Sequence, residues 1–257
     1  MCPTDAAAVL AVLHEVVTAV RRELDGLDDW GLAGTVDGQY RHDLVADAAA
    51  LEVLSAAGFG VFSEESGLHD PDRDVLVVVD PVDGSTNASR GLPWYATSLC
   101  ALDSAGPLAA VVANQASGSR YEATRGGGSR RDGRPIGPTT ITEAGEAVVA
   151  TSGWPPQLPG WAQLRCLGAA ALDLCTVAAG SLDGFVDFGG RSLAPWDYLG
   201  GLLVCTEAGA TVAEAFGRDL VTTAAGARRT VVAGATAGLC DQLRDARAAL
   251  APGPSGP

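Results

Sequence analysis

Three short acidic segments stand out in the 257-residue chain: SEES at 63–66, DPVDGSTN at 80–87 and PWD at 195–197. Acids in loops are ordinarily just solvated, and SEES alone carries no more than that. DPVDGSTN differs, because Asp80 and Asp83 come directly after VLVVV, from Val75 to Val79. That uniformly apolar, largely β-branched run reads as a strand buried on both faces and ending at Asp80. Two carboxylates at the edge of a buried sheet repel each other and call for a cation. Mg2+ suits the need, since it takes carboxylate, carbonyl and water oxygens and keeps waters for chemistry. A tight turn at Pro81 would aim Asp80, Asp83 and the Val82 carbonyl at one point. Gly84 lets the chain turn closely, and the amides of Gly84 and Ser85, opening a helical turn, suit phosphate oxygens. Four acids, Glu64, Asp80, Asp83 and Asp197, would meet an anionic substrate favourably only with metal between them.

Other chemistries find little support. His14, His42 and His69 show no zinc-ligand spacing; His42 is expected just ahead of a helix. The six cysteines, at 2, 100, 166, 175, 205 and 240, form no CxxC pair and read as reduced core thiols. A formal net charge of −14 argues against nucleic acid or an anionic membrane surface as partner. No run is long and apolar enough to span a bilayer and no secretory leader is evident, so a cytoplasmic location is expected.

The elements that would position these acids follow from hydrophobic spacing. Residues 4–24 form an amphipathic helix behind Thr4 and Asp5. A second helix is expected from Asp43 to Gly58 with Leu44, Ala48, Leu51 and Leu54 as its buried side, then a strand from Gly60 to Ser63. Strands are expected at 95–102 and 108–113, and a turn-rich connection at 125–137. A seam near residue 140 would separate an N-terminal half, 1–140, from a C-terminal half, 141–250, with 251–257 as a tail. The C-terminal half holds strands at 147–150, 184–188 and 230–232 and helices at 169–179, 195–208 and 237–250. Pro195 suits a first helical turn.

SEES, VVVDPVDGSTN and PWDYLGGLLVCTEAGA, in that order, resemble the signatures of the inositol monophosphatase-like metal-dependent phosphatases. The spacings suit the family too: 16 residues from Glu64 to Asp80 and 114 from Asp83 to Asp197. The resemblance implies a mixed α/β (α+β) fold, a layered αβαβα sandwich of the inositol monophosphatase/fructose-1,6-bisphosphatase type, with two Mg2+ ions and a third site left open. It implies that Glu64, Asp80 and the Val82 carbonyl hold one ion and that Asp80, Asp83 and Asp197 hold the other. Glu64 and the Ser85 hydroxyl would activate the attacking water, with Asp47 supporting that hydroxyl. Asp83, Ala170, Asp187 and Asp197 would contact the alcohol portion of the substrate. Homodimerisation and lithium sensitivity are implied as well.

Some positions depart from the pattern. The segment DLVAD lacks the usual threonine and Arg41 is only a loose stand-in for the usual lysine, which puts the third metal position in question. Ala88 replaces an aromatic residue, and the stretch between Asp187 and Asp197 is longer than in inositol-cleaving relatives. Arg191 in that stretch, and the Arg130, Arg131 and Arg134 group, are open as contacts for a second anionic group. Trp196 reads as packing beneath the site. The function expected is hydrolysis of a small phosphate monoester, an inositol, polyol or sugar phosphate. Histidinol phosphate, fructose bisphosphate and a 3′-phosphorylated nucleotide are the alternative substrates, and a catalytically silent scaffold is the alternative of another class.

Overall fold

A computed structural model describes residues 5–34, 38–157 and 159–250. Thr4, Cys2 and the segment 251–257 lie outside the described residues.

Helix α1, Ala6–Asp25, is capped by Asp5, whose Oδ1 accepts the Ala7 amide at 3.0 Å. It buries Val9, Leu13, Val16, Val17, Val20 and Leu24, the helical stripe seen in the sequence. Helix α2, Arg41–Ala56, starts earlier than expected and is rolled about its axis: Leu54 and, in part, Leu51 pack inward as expected, but Leu44 and Ala48 do not. His42, Asp43, Ala46, Asp47, Ala50 and Leu54 are buried, whereas Leu44 and Ala48 face solvent. The roll has a physical cause: α2 turns its two carboxylates inward toward the acidic cluster, and the apolar Leu44 goes outward in consequence.

Among the described residues the first sheet has eight strands in the order β2-β1-β3-β4-β5-β6-β7-β8. They are β1 Gly60–Ser63, β2 Gly67–His69, β3 Leu76–Asp83, β4 Ala96–Asp103, β5 Gly106–Asn114, β6 Arg120–Thr124, β7 Gly128–Arg131 and β8 Arg134–Pro135. Only β1 and β3 are parallel; the remaining neighbours are antiparallel. The stretch expected as a turn-rich connection at 125–137 therefore carries two short edge strands, whose exposed glycines and arginines hid the pairing. The second sheet has the order β10-β9-β11-β13-β12, from β9 Val148–Ser152, β10 Gln163–Arg165, β11 Gly184–Asp187, β12 Thr211–Glu214 and β13 Val231–Gly234. Strands β2, β10 and β12 are too short and too polar to show in the sequence pattern.

Between the sheets lie α4, Ala170–Ala178, and α5, Pro195–Ala208; α3, Ser85–Ser89, is a short turn after β3, and α6, Ala237–Ala249, covers the far side of the second sheet. The five layers follow from strand alternation. Val77 and Val79 pack with α1 and α2, while Val78 between them packs with α4 and α5. In the second sheet Phe185 joins the middle layer and Val186 joins the α6 layer. Two glycines let α5 lie close in this sandwich: a Cβ at Gly200 would stand 2.8 Å from Ser98 Oγ, and one at Gly201 2.6 Å from Leu174 Cβ. No helix among the described residues is long and apolar enough to cross a membrane. Cys100, Cys175, Cys205 and Cys240 are buried free thiols as expected, whereas Cys166 is exposed.

Candidate active site

Asp80 and Asp83 reach the same face of the first sheet through a bulge. Asp80 pairs with Ser98 and Asp83 with Ala96, so three steps on β3 oppose two on β4. In a regular strand residues three apart point to opposite faces; the extra residue restores the parity. Val78, Asp80 and Asp83 thus stand opposite Cys100, Ser98 and Ala96, on the side of α4 and α5. The strand does not end in a turn at Asp80, as the sequence suggested. The Thr97 hydroxyl donates to the Pro81 carbonyl at 2.8 Å and holds the bulge.

Glu64 follows β1, its amide donating to the Val79 carbonyl at 3.1 Å. Asp197 lies in the first turn of α5, its Oδ2 accepting the Ala194 amide at 2.6 Å. Ligand oxygens of Glu64, Asp80 and Asp197 all lie within 4.8 Å of one another. Asp83 belongs to the same group electrostatically, but its Oδ2 accepts the Ala171 amide at 2.7 Å. Asp80 Oδ1 is buried and has no hydrogen-bond partner among the described residues.

Burial raises every member of this group, and the neighbouring carboxylates raise Glu64, Asp80 and Asp83 further. Asp80 is lifted well above the usual carboxylate range by burial and by the charges of Glu64, Asp83 and Asp197. Asp83 is lifted likewise, by burial and then by Asp197. Asp197 is pushed up to about 6 by burial, against the Ala194 amide and Arg228, which favour its charge. Glu64 remains open to the cleft at its outer side, yet the protein around its carboxyl and then Asp197 push it up to about 8. The starts of α2, α4 and α5 carry Asp43, Asp173 and Asp197 in their first turns, so helix N-termini offset part of the crowded negative charge. A buried acceptor without a donor beside mutually repelling carboxylates fits a hard divalent cation.

The Ser85 hydroxyl lies 2.8 Å from Asp43 Oδ1 and 2.8 Å from the Val82 carbonyl, the two acceptors for its one proton. This corrects the expected role of Asp47. One turn further along α2, Asp47 instead accepts the Ser63 hydroxyl. Because α2 begins at Arg41, Asp43 rather than Asp47 falls level with Ser85. Burial raises the Asp43 carboxyl, against the Ser85 and Tyr40 hydrogen bonds. His42, inside the first turn and not ahead of it, is buried between Trp30 and Tyr40 with ring centroids 5.1 Å away on each side. Burial lowers it to about 4, so its 3.3 Å approach to Asp43 is not an ion pair at neutral pH.

Gly84 opens α3 with φ of 91°, and a Cβ there would lie 3.0 Å from the Trp94 carbonyl and 3.1 Å from that of Gly168. Asn87 closes the same junction, donating to the Trp94 and Leu167 carbonyls at 2.8 Å each. Beyond it a cavity of about 190 Å³ is lined by Asp83, Ala170, Asp173 and Asp197, with Gly168 and Cys166 at its wall. Asp187 does not line this cavity. It is fully buried at the end of β11, Oδ1 accepting the Gly189 amide at 2.8 Å, and is not an exposed strand carboxylate.

Two residues near the cleft went unnoticed in the sequence. Asp173 accepts the Trp94 indole N–H at 2.9 Å, and burial raises it to about 7; a lone acid in the apolar run AALDLCTVA was the available signal. Arg228 stacks over Trp196 at 5.7 Å and favours the charged form of Asp197, but nothing in its surroundings in the sequence marks it. Trp196 itself meets Phe62 edge-on at 5.2 Å, consistent with packing. Arg130, Arg131 and Arg134 lie on β7 and β8, with β4, β5 and β6 between them and the acids of β3.

The chain matches the model of the inositol monophosphatase family over residues 4–249, and it belongs to that family. It is 32% identical over 222 residues to a fructose-1,6-bisphosphatase/inositol-1-monophosphatase of Archaeoglobus fulgidus, covering 82% of this chain and 86% of the relative. It is also 32% identical over 224 residues to the Nus factor SuhB of Salmonella typhimurium, covering 80% and 79%. Among solved structures, a Pyrococcus horikoshii protein with similarities to inositol-1 monophosphatase superposes with a TM-score of 0.80 at 26% identity, covering 93% and 96% of the two chains. The SuhB protein of Bartonella henselae superposes with a TM-score of 0.78 at 28% identity, covering 96% and 99%.

Proposed function

We propose that the protein is a Mg2+-dependent phosphomonoesterase acting on a small phosphate monoester, an inositol, polyol or sugar phosphate. The observation that carries this reading is the meeting of Glu64, Asp80 and Asp197 within 4.8 Å around a buried, unpartnered Asp80 oxygen.

Glu64, Asp80, Asp83, Asp197 and the Val82 carbonyl would hold the metal. Bound there, the metal supplies the charge that draws in a phosphate dianion, an activated water and stabilisation of the departing alkoxide. The Ser85 hydroxyl, donating to Asp43, keeps lone pairs with which to accept a hydrogen bond from the attacking water, and Asp43 receives the relayed proton. Glu64 is a second base at the mouth of the cleft. The first amides of α3, without intrahelical acceptors, would orient phosphate oxygens near Gly84 and Ser85. Asp83, Ala170 and Asp197 would border the alcohol in the 190 Å³ cavity.

A bisphosphate substrate is a variant of the same reading, supported by the double name of the Archaeoglobus relative and by Arg228 beside the cleft. The experiment is phosphate release from inositol 1-phosphate, fructose 1,6-bisphosphate, histidinol phosphate and a 3′-phosphorylated nucleotide, with Mg2+ or chelator, and with Asp83→Asn as control. Mg2+-dependent release that the control loses supports the reading. Silence across the panel, with a melting temperature indifferent to Mg2+, favours the scaffold alternative, to which the Nus factor name of relatives also lends itself. Homodimerisation and lithium inhibition belong to the proposal; a monomeric mass by light scattering, or turnover unchanged in high lithium, would remove the corresponding part.

A further inference from the structure

A second cavity, of about 880 Å³, shares no lining residue with the acidic cleft. It lies on the α6 side of the second sheet, where Phe188 packs with Val186, Leu239 and Leu243. Arg247 of α6 projects to its wall. This side chain is buried, only 8% of the residue being exposed, and its guanidinium carbon lies 5.2 Å from the Phe188 ring centroid and 5.6 Å from that of Phe216. Its Nε donates to the Asp187 carbonyl at 2.6 Å. Its two terminal nitrogens have no hydrogen-bond or ion-pair partner among the described residues, and Asp187, whose charge it influences, lies beyond ion-pair distance.

The residue is mostly buried, but its two outer nitrogens still reach the water of the cavity and meet no protein acceptor among the described residues, so a planar anion entering the cavity would find both donors free. The other cation of the wall, Arg218, is already committed to Glu214, to which its Nε donates at 2.9 Å. Among the described residues Arg247 is therefore the cation of this wall that has no ion-pair partner, its charge being offset only by the two aromatic rings and the more distant Asp187. Around it the lining is largely apolar, and two large aromatic side chains on it, Trp154 and Phe216, are 76% and 51% exposed. Exposed aromatics gathered at a concave surface mark a ligand site more often than a chance patch.

We propose that this cavity binds a small organic monoanion, a carboxylate on a flat apolar body, with the carboxylate held by the terminal nitrogens of Arg247 and the body against Phe216 and Trp154. A planar carboxylate matches the guanidinium edge through two parallel hydrogen bonds. A single cation favours a monocarboxylate over a phosphate dianion. The site is independent of the phosphatase reading.

The test is calorimetric titration of the full chain, in chelator, with benzoate, with its neutral counterpart benzamide and with phenyl phosphate. Benzoate is expected to bind saturably, with benzamide and phenyl phosphate each about tenfold weaker or more. Arg247→Met is expected to weaken benzoate by about tenfold or more. Since that change also removes the bond to Asp187, Phe216→Glu serves as the second variant: at a half-exposed position it sets a like charge beside the site and abolishes benzoate binding in a folded protein. Asp83→Asn, in the acidic cleft, leaves benzoate affinity unchanged. The proposal is overturned by absence of saturable benzoate binding, by equal binding of benzamide, by tighter binding of phenyl phosphate, by unaltered affinity in folded Phe216→Glu, or by loss of binding in Asp83→Asn.

Discussion

Asp43 Oδ1 lies 2.8 Å from the hydroxyl oxygen of Ser85, 42 residues away, and so couples the first turn of α2 to the DPVDGSTN segment. The hydroxyl has one proton and two acceptors, and the Asp43 carboxylate is the stronger of them.

This pairing separates two neighbouring acids. In the phosphate-release assay Asp43→Asn is expected to lower kcat by about a hundredfold, because proton removal through Ser85 is lost. Asp47→Asn, which keeps an acceptor for Ser63, is expected to lower it less than about tenfold. Equal losses would refute the separate assignment.

Stability should depend on pH and metal together. Asp197 and Glu64 are raised to about 6 and about 8, above their values in an unfolded chain. Carboxyls raised on folding favour the folded state while protonated, and this contribution is lost as pH climbs through those two values. In chelator the melting temperature is therefore expected to fall between about pH 5 and about pH 8.5. Mg2+ binds the ionised cluster, so it should raise the melting temperature by several degrees at the higher pH and little at the lower. A Mg2+ effect of equal size at both would contradict the cluster's titration.

Gly84→Ala places a side chain at φ of 91° against the Trp94 and Gly168 carbonyls. Left-handed strain and the contact together should cost about 2–4 kcal/mol, read as a lowered denaturant midpoint at unchanged m. Full retention of stability would mean the junction is looser than its contacts indicate.

Gly201→Ala tests the middle layer. The added methyl meets Leu174 Cβ at 2.6 Å and the Ala171 carbonyl at 3.2 Å. Overpacking of this kind costs about 1–3 kcal/mol. The shift of α4 also disturbs the Ala171 amide that Asp83 accepts, so Mg2+ affinity by calorimetry should weaken alongside stability.

Asp173→Asn keeps an acceptor for the Trp94 indole and removes a charge whose carboxyl is raised to about 7. Metal-free protein carrying it is expected to be more stable than the parent by about 2–4 kcal/mol above pH 8, with the gain shrinking as pH falls and gone near about pH 3, by chemical denaturation. A stability gain that persists at the lower pH would contradict a titrating Asp173.

Local pattern alone determined a good part of this protein. The stripe of α1, the span of α5 from Pro195 to Ala208, the β-branched run ahead of Asp80 and the order of the three acidic segments are written in neighbouring residues. Periodicity, caps and propensity act within a few residues, so such features survive reading along the chain. Tertiary structure decided the rest. Whether Asp43 or Asp47 meets Ser85 depends on where α2 starts and which way it rolls, and that is set by burial of its acids against the sheet rather than by its own sequence. The bulge that turns Asp83 to the side of Asp80 depends on pairing with β4, and the burial of Asp187 on packing between β11 and α6. Arg247 looks like any polar residue of an amphipathic last helix until Phe188 and Phe216, from two other parts of the chain, close over its guanidinium. Contacts between residues far apart in sequence carry no local signature, because the energy that selects them comes from surfaces that exist only once the layers have assembled.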